Sequence, residues 1–431
     1  MIRTATALAA LLVSLPALAQ PTSATPGYGA NPVLPKPDTD HRVQNFSKVI
    51  GWPKDASPRA PDGLKVQRFA DGLDSPRSIH VLPNGDVLVA EATTTVRPKG
   101  INTKTPGQMR SGSAAVFSPD RVTLLRDTNG DGVADERHVL LDDLSQPFGL
   151  AFVDGTLFVA NTDGLLTYSY KLGQTKIEDK GRRLLELPAG GYNNHWTRNL
   201  LLSRDRTKLY VSVGSASNVG EHGLDLEKGR AAIHEIGLDG SNHRIFASGL
   251  RNPVGMSLEP TTGTLWTAVN ERDNIGDDLA PDYITSVKEG GFYGWPFSYW
   301  GKNEDPRLKG QGKTLVETAI QPDYAVGPHT ASLGLLFYTG DALPAAYRGG
   351  AFVAQRGSWN RQPFSGYKVL FIPFKDGKPS GDPQDFLTGF MADLQKGTAF
   401  GRPVGVFQDG GGALLVTDDA GDTIWRVSAS N

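Results

Sequence analysis

His195, Arg251 and Arg402, with Gln146, Asn252 and Thr330, share a place in the chain. Each stands just ahead of a short apolar phrase that recurs along it. Guanidinium groups fork onto planar carboxylates, and a neutral imidazole takes a proton near pH 7. Two arginines, two amides, a hydroxyl and one histidine describe a pocket for a flat anion with a general base beside it. Converging so many polar side chains is costly unless they bind something polar. Trp196, next to His195, offers an apolar wall. His80 lies inside a strand-like run, and His41 and His138 fall outside the pattern; they read as ordinary.

The phrase explains why such distant residues should meet. It appears as Gln146-Pro147-Phe148-Gly149-Leu150, Asn252-Pro253-Val254-Gly255-Met256 and Arg402-Pro403-Val404-Gly405-Val406. Looser copies begin at Ser75, Trp196 and Ala331. A strand-bearing unit repeated about six times predicts an all-β, six-bladed β-propeller over residues 62–431. In that fold the first strand of each blade lines a central channel, so the residues before each phrase gather at its mouth. Aligned on the proline or its substitute, one column reads Ser75, Gln146, Trp196, Asn252, Ala331 and Arg402. The column before it reads Asp74, Ser145, His195, Arg251, Thr330 and Gly401.

Short β-branched runs bounded by Gly, Pro, Asn or Asp support this reading, among them Val66-Phe69, Val87-Ala90, Leu157-Ala160, Leu209-Val213, Leu265-Val269 and Leu414-Thr417. Helical periodicity is scarce. Residues 270–317 and 357–367 are expected to be long loops, a common place for function. Trp295, Tyr299, Trp300 and Trp359 stand on them, as candidates either to stack on the face of a ligand or to anchor the loops.

The 431 residues carry a net charge of -2, which gives no electrostatic case for nucleic acid or an anionic membrane. Residues 1–19 read as an export signal: Arg3, the apolar run Ala7 to Leu15, then Ala17-Leu18-Ala19 as a cleavage site. This predicts a periplasmic or secreted protein. No other segment is apolar enough to span a bilayer. Residues 20–61 form an extended lead-in. Cysteine is absent, so disulfides and thiolate chemistry are excluded.

At these residues the chain resembles the pyrroloquinoline quinone (PQQ) dependent sugar dehydrogenases, and within them the sorbosone- or aldose-type branch. The resemblance is carried by Gly249-Leu250-Arg251-Asn252-Pro253-Val254-Gly255, Asn270-Glu271-Arg272-Asp273, Gly291-Phe292-Tyr293-Gly294-Trp295-Pro296 and Gln355-Arg356-Gly357-Ser358-Trp359-Asn360-Arg361. It implies oxidation of a sugar, or a related polyol or aldehyde, by hydride transfer to PQQ, with a separate electron acceptor. His195 then corresponds to the general base, Arg251 to the stabiliser of negative charge on the quinone, and Gln146 to the active-site glutamine. Asn252, Thr330 and Arg402 correspond to cofactor contacts, and the family's quinone-contacting lysine falls near Arg356 and Arg361. Where the glucose-oxidising branch has an aspartate to orient the base, this chain has Val213-Gly214-Ser215, so either Asn194, Glu221 or Asp225 substitutes or His195 is less strongly activated.

The resemblance also implies a calcium ion at the quinone, held here by Glu271 and Asp273 through side chains and Arg272 through its carbonyl, on a loop that otherwise reads as solvated and acidic. A second calcium candidate rests on spacing alone. Asp127, Asn129, Asp131 and Asp135 follow the oxygen pattern of an EF-hand loop, with Gly132 at the turn. His138 stands where the bidentate Glu belongs, so the alternative is an Asx-rich turn.

Two other functions compete. A calcium-dependent propeller lactonase or hydrolase would want a carboxylate-rich ring, whereas this one is basic and amide-rich. A non-catalytic binding propeller would leave the histidine and arginines unexplained.

Overall fold

A computed structural model describes residues 27–40, 42–95 and 105–430. The export signal at 1–19, the start of the lead-in at 20–26 and His41 lie outside the described residues. The chain is all-β with few, short helices, and the strands form consecutive antiparallel sheets. The first contains Pro76–Val81, Val87–Glu91, Arg121–Arg126 and Glu136–Leu141. The second contains Gly149–Val153, Thr156–Asn161, Gly164–Ser169 and Arg182–Glu186. The third contains Leu200–Leu202, Lys208–Val213, Ala232–Gly237 and Arg244–Ser248. Next come Pro253–Leu258, Leu265–Val269, Pro281–Ser286 and Tyr324–Pro328, then Ser332–Phe337, Ala351–Gln355, Lys368–Ile372 and Gln384–Leu387. The last sheet joins Pro403–Gln408, Leu414–Asp418 and Thr423–Ala429 to Leu64–Ala70 from the other end of the chain.

Each hydrophobic cluster bridges neighbouring sheets. Leu88 and Leu124 pack with Leu150 and Val159, and Ile233 and Phe246 with Met256 and Leu265. Val87 and Val89 of the first sheet meet Leu415 and Ile424 of the last. Each fully buried Val or Leu contributes about 1.5–3 kcal/mol, so the sheets are held to one another by their faces.

The recurring phrase now has a physical meaning. Phe148, Val254, Leu333 and Val404, all from the position after its proline or substitute, form one buried cluster with Ala92 and Trp196. The phrase glycine permits backbone-to-backbone approach of neighbouring first strands. A Cβ on Gly149 would collide with backbone atoms of Arg198 to Leu200, and one on Gly255 with backbone atoms of Leu333 to Leu335. Beneath this cluster a cavity is lined by all six first strands, through Ile79, Leu150, Leu200, Met256, Leu335 and Val406. Ser75, Gln146 and Ala331 share a positive φ, at 53°, 47° and 50°. Three copies thus enter the phrase through the same uncommon backbone conformation.

The expectation of an unbroken loop at 270–317 is corrected by the strand Pro281–Ser286, whose Tyr283 and Ile284 are buried in the fourth sheet. The described part of the lead-in lies along the sheets. Tyr28–Gly29 pairs with Val326 and Ala325, and Lys48–Val49 pairs in parallel with Thr398–Ala399. Phe46 stacks on Trp359 with centroids 5.3 Å apart. Among the described residues no helix is long and apolar enough to cross a membrane.

Candidate active site

His195 lies in the loop that leads into the third sheet. Its Nδ1 is 2.9 Å from both the carbonyl oxygen and the hydroxyl oxygen of Ser215. The carbonyl can only accept. The Ser215 hydroxyl spends its hydrogen on the Ser217 carbonyl, 2.6 Å away, so towards the imidazole it also accepts. Both bonds therefore require a proton on Nδ1, and the neutral ring carries its lone pair on Nε2. The position at which the sequence lacked an aspartate thus holds the imidazole with Ser215 itself. Two of the expected substitutes do other work: Glu221 accepts from the amides of Asn218 and Val219, and Asp225 pairs with Lys228.

Ser215 also ties His195 to Arg251, since its amide donates to the Arg251 carbonyl at 2.8 Å. A Cβ on Gly214 would strike both the His195 Cβ and the Asn252 carboxamide, so a bare glycine lets these two side chains lie together. The buried Asn252 Oδ1 has no hydrogen-bond partner among the described residues.

Arg251 is 1% exposed and sits among oxygens. Its guanidinium donates to the carbonyls of Asn218, Asn270 and Glu271, to Oδ1 of Asn218 and to the carboxylate of Asp273 at 3.1 Å. Asn360 donates to the other Asp273 oxygen at 2.7 Å and lies 3.3 Å from His329 Nδ1. Asp273 is thus brought to the mouth, as the metal reading expected, but as a partner of Arg251. The Glu271 side chain requires correction as a metal ligand, whereas the Arg272 reading was for its backbone carbonyl, which its side-chain contacts leave open. The Glu271 carboxylate takes the Arg272 amide and Nε, and Arg272 goes on to Asp305 and the carbonyls of Pro296 and Ser298, all buried. Among the described residues no three acidic or imidazole side chains converge as a metal-binding group.

In a separate cluster three guanidinium groups gather round one carboxylate. Arg356 Nε lies 2.9 and 3.0 Å from the two oxygens of Asp419, and Arg77 donates to one of them. Arg402 donates to the Arg356 carbonyl, and both arginines reach Ser113 Oγ. Burial, then the charge of Arg356, pushes the Arg402 pKa down to about 10. Burial also lowers that of Arg77 despite Asp419 beside it. Arg77 lies over the rings of Trp196 and Phe148, 5.3 and 5.9 Å from their centroids, and its buried Nε has no hydrogen-bond partner among the described residues. Such a surplus of buried positive charge suits a polyanion.

The remaining candidates divide. Gln146 is buried at the mouth, donating to the Thr93 carbonyl at 2.8 Å. The Thr330 hydroxyl is fully buried and donates to Asp282, which also takes the amides of Glu271 and Ser332. Burial pushes the Asp282 pKa up to about 6. Thr330 thus builds the wall of the mouth. Of the two residues at the family's lysine position, Arg356 joins the cluster, whereas Arg361 pairs with Asp278 and the carbonyls of Asp277 and Pro363. Of the two readings for Tyr299 and Trp300, burial favours packing anchors: they are core residues, 4% and 6% exposed. Trp295 is buried and donates to the Asn218 carbonyl.

Arg77, Asp419, Ser113 and Asp273's partner Asn360 were not singled out in the sequence as site residues. Arg77 stood inside a looser copy of the phrase, and that was its only local signal.

A family model described as TrAA12-like matches residues 58–288 and 299–430. The chain belongs to this family. The TrAA12-like chain is 25% identical over 382 residues to a pyrroloquinoline quinone-dependent pyranose dehydrogenase of Coprinopsis cinerea, covering 76% of this chain and 47% of that protein. It therefore spans about half the length of that relative. It is 29% identical over 364 residues to an uncharacterised protein of Borreliella burgdorferi, covering 80% and 90% of the two chains. In fold it is similar to a Trichoderma reesei protein of Carbohydrate-Active Enzymes Family AA12. That match has a TM-score of 0.71 at 22% identity, over 90% of this chain and 99% of the other. The resemblance to PQQ-dependent sugar dehydrogenases read from the sequence is thus borne out.

Proposed function

We propose that this TrAA12-like protein is a PQQ-dependent dehydrogenase that oxidises a sugar, or a related polyol or aldehyde of the sorbosone or aldose type. The observation that carries the proposal is the pairing of a tautomer-locked His195 with a surplus of buried guanidinium groups at one mouth. We read the consecutive sheets as the six blades of a propeller, with their first strands round one channel.

The residues fit the cofactor. PQQ is a flat tricarboxylate, Arg77, Arg356 and Arg402 together outnumber Asp419, and Arg77 Nε and Asn252 Oδ1 are buried without a partner among the described residues. When bound, PQQ supplies a two-electron acceptor. The protein does the rest. The arginine cluster and Asn252 hold and orient the anion, and Arg251 places positive charge where negative charge develops. Trp196 and Phe148 keep an apolar floor beneath it. His195 Nε2 takes the proton of the substrate hydroxyl as the adjacent C–H bond gives up its hydride, and the C–O bond becomes a carbonyl. An external acceptor must then remove two electrons for each turnover.

Calcium enters as a finer part of the proposal. The carboxylate of Asp273 and the backbone carbonyl of Arg272 are hard oxygens of the kind calcium takes, beside Arg251. No step above runs through the ion. Export to the periplasm or the medium is proposed from residues 1–19. The basic, amide-rich mouth supports a dehydrogenase over a hydrolase or a passive binder.

The test is to purify the protein, add PQQ with and without Ca²⁺, and follow dye reduction across a panel of sugars, polyols and aldehydes. Absence of PQQ binding by calorimetry would overturn the reading.

A further inference from the structure

His195 is held through a chain of contacts that ends on a buried carboxylate. Ser215, which takes the imidazole Nδ1–H, is itself fixed by the turn 215–217. That turn is gripped by Glu227, on the one-turn segment Leu224–Glu227. One Glu227 oxygen accepts from the Ala216 amide at 2.7 Å. The other accepts from the Ser217 amide at 3.0 Å and from the Ser217 hydroxyl at 2.5 Å. Ser217 Oγ in turn accepts from the Gly220 amide at 3.0 Å. Ser215 and Ser217 are fully buried and Glu227 is 8% exposed, so water does not readily compete for these bonds.

We infer that Glu227 is a positioning residue for the base: through Ser217 and Ser215 it fixes the Nδ1–H tautomer of His195. The inference rests on the reading of His195 as the proton acceptor. Its logic is one of placement. A carboxylate in direct contact with Nδ1 would hold the ring and raise its pKa together. Here the carboxylate is displaced to the far side of the turn. The ring is held by two neutral oxygens, and its negative partner acts on backbone amides instead. The design separates orientation from basicity.

Other charged groups surround the same turn. Arg251 accepts the Ser215 amide through its carbonyl, and Arg198 donates to the His195 carbonyl at 2.8 Å. Arg230 interacts electrostatically with Glu227, and Glu221 caps the amides of Asn218 and Val219. Tyr192 and His222 lie with their ring centroids 4.2 Å apart and their planes tilted by 38°. None of these substitutes for the Glu227 bonds to Ala216 and Ser217.

The experiment compares Glu227→Gln, Ser215→Ala, Ser215→Asp and His195→Ala in the full chain, with PQQ affinity measured separately by calorimetry. Glu227→Gln is expected to lower kcat about 10–100-fold, the range for loss of a hydrogen bond to a charged group, with KM and PQQ affinity unchanged. Ser215→Ala keeps the carbonyl acceptor and should lose less. Ser215→Asp puts a carboxylate against Nδ1, so the acid limb of the kcat/KM profile should move up by about one pH unit or more. Nitrogen NMR of the apo protein gives a readout independent of turnover: the His195 signals should report Nδ1–H in the wild type and a tautomer mixture in Glu227→Gln. Should Glu227→Gln not fold, the Ser215 variants and the wild-type tautomer still decide. If His195→Ala abolishes turnover while Glu227→Gln and Ser215→Ala leave kcat, pH profile and tautomer unchanged, the Glu227 inference is overturned and the assignment of the base stands. If His195→Ala is fully active, the assignment of the base is what fails.

Discussion

Arg356 Nε sits almost evenly between the two carboxylate oxygens of Asp419, at 2.9 and 3.0 Å, although the residues are 63 positions apart. The pair is buried, and Arg77 reaches the same carboxylate from the first sheet. Burial would push the Asp419 pKa up, but Arg356 and Arg77 beside it hold it below the ordinary value. Removing that carboxylate leaves three buried cations with no compensating charge at their centre. Asp419→Asn is therefore expected to destabilise the apo protein by about 3–5 kcal/mol in urea unfolding, the usual cost of breaking a buried pair.

The pH dependence follows from the sign of that shift. Because the folded-state pKa is depressed, the stabilisation is present above the unfolded carboxylate pKa of about 3.9 and is lost as pH falls through the folded value. Wild type should lose stability below about pH 4, and Asp419→Asn should lose less of it over the same window. A wild-type-like slope in the variant would show that other carboxylates govern acid unfolding.

His195→Ala removes the lone pair on Nε2 and leaves the arginine cluster untouched. Turnover at saturating PQQ is expected to fall about 10²–10⁴-fold, the usual contribution of a positioned general base. PQQ affinity, measured by calorimetry, should be unchanged. Full activity of this variant on any substrate the wild type oxidises would remove His195 from the mechanism.

Arg402→Ala should behave in the opposite way. It deletes a guanidinium that contacts Arg356, Ser113 and the carbonyls of Ser111 and Gly357. Cofactor affinity should fall while kcat partly recovers at high PQQ. Arg251→Lys keeps the charge but cannot reach Asn218, Glu271 and Asp273 with one fork, so both affinity and kcat should drop, each by less. Calorimetric titration alongside kinetics at saturating cofactor separates these patterns.

What the sequence made legible was what the backbone repeats. The glycine of the phrase is demanded by the close approach of first strands at Gly149 and Gly255, so His195, Arg251, Asn252 and Arg402 could be aligned on the phrase without knowing any contact. What it hid was the partner of each. Arg77 finds Asp419 342 residues away, and Arg402 finds Ser113 289 residues away, and no local pattern announces such a pair. Ser215 was visible only as a missing aspartate, because a serine that accepts from an imidazole looks like any other serine. Tyr299 and Trp300 could be read either way, because an aromatic on a long loop has the same local appearance whether it packs inward or meets a ligand.

The loop at Asp127 to Asp135 gives the last prediction. Its acceptors are used on its own backbone: Asp127 takes the amides of Gly130 and Gly132, Asn129 that of Asp131, Asp131 that of Val133, and Asp135 that of Thr128. The side chains are exposed, and the loop joins the strands Arg121–Arg126 and Glu136–Leu141 rather than two helices. No three acidic side chains converge here among the described residues, so the calcium reading rests on the spacing of the oxygen donors, which a bound ion would have to draw together. Wild type should therefore gain thermal stability with added Ca²⁺, following the mass-action law for a ligand of the folded state. Asp127→Ala combined with Asp131→Ala should abolish that gain and leave kcat at saturating PQQ essentially unaltered, since the loop shares no contact with His195 or the arginine cluster among those described. If Ca²⁺ and chelator give the same Tm in wild type, and the double variant differs from it equally in both, then the self-bonded turn is all that this sequence encodes.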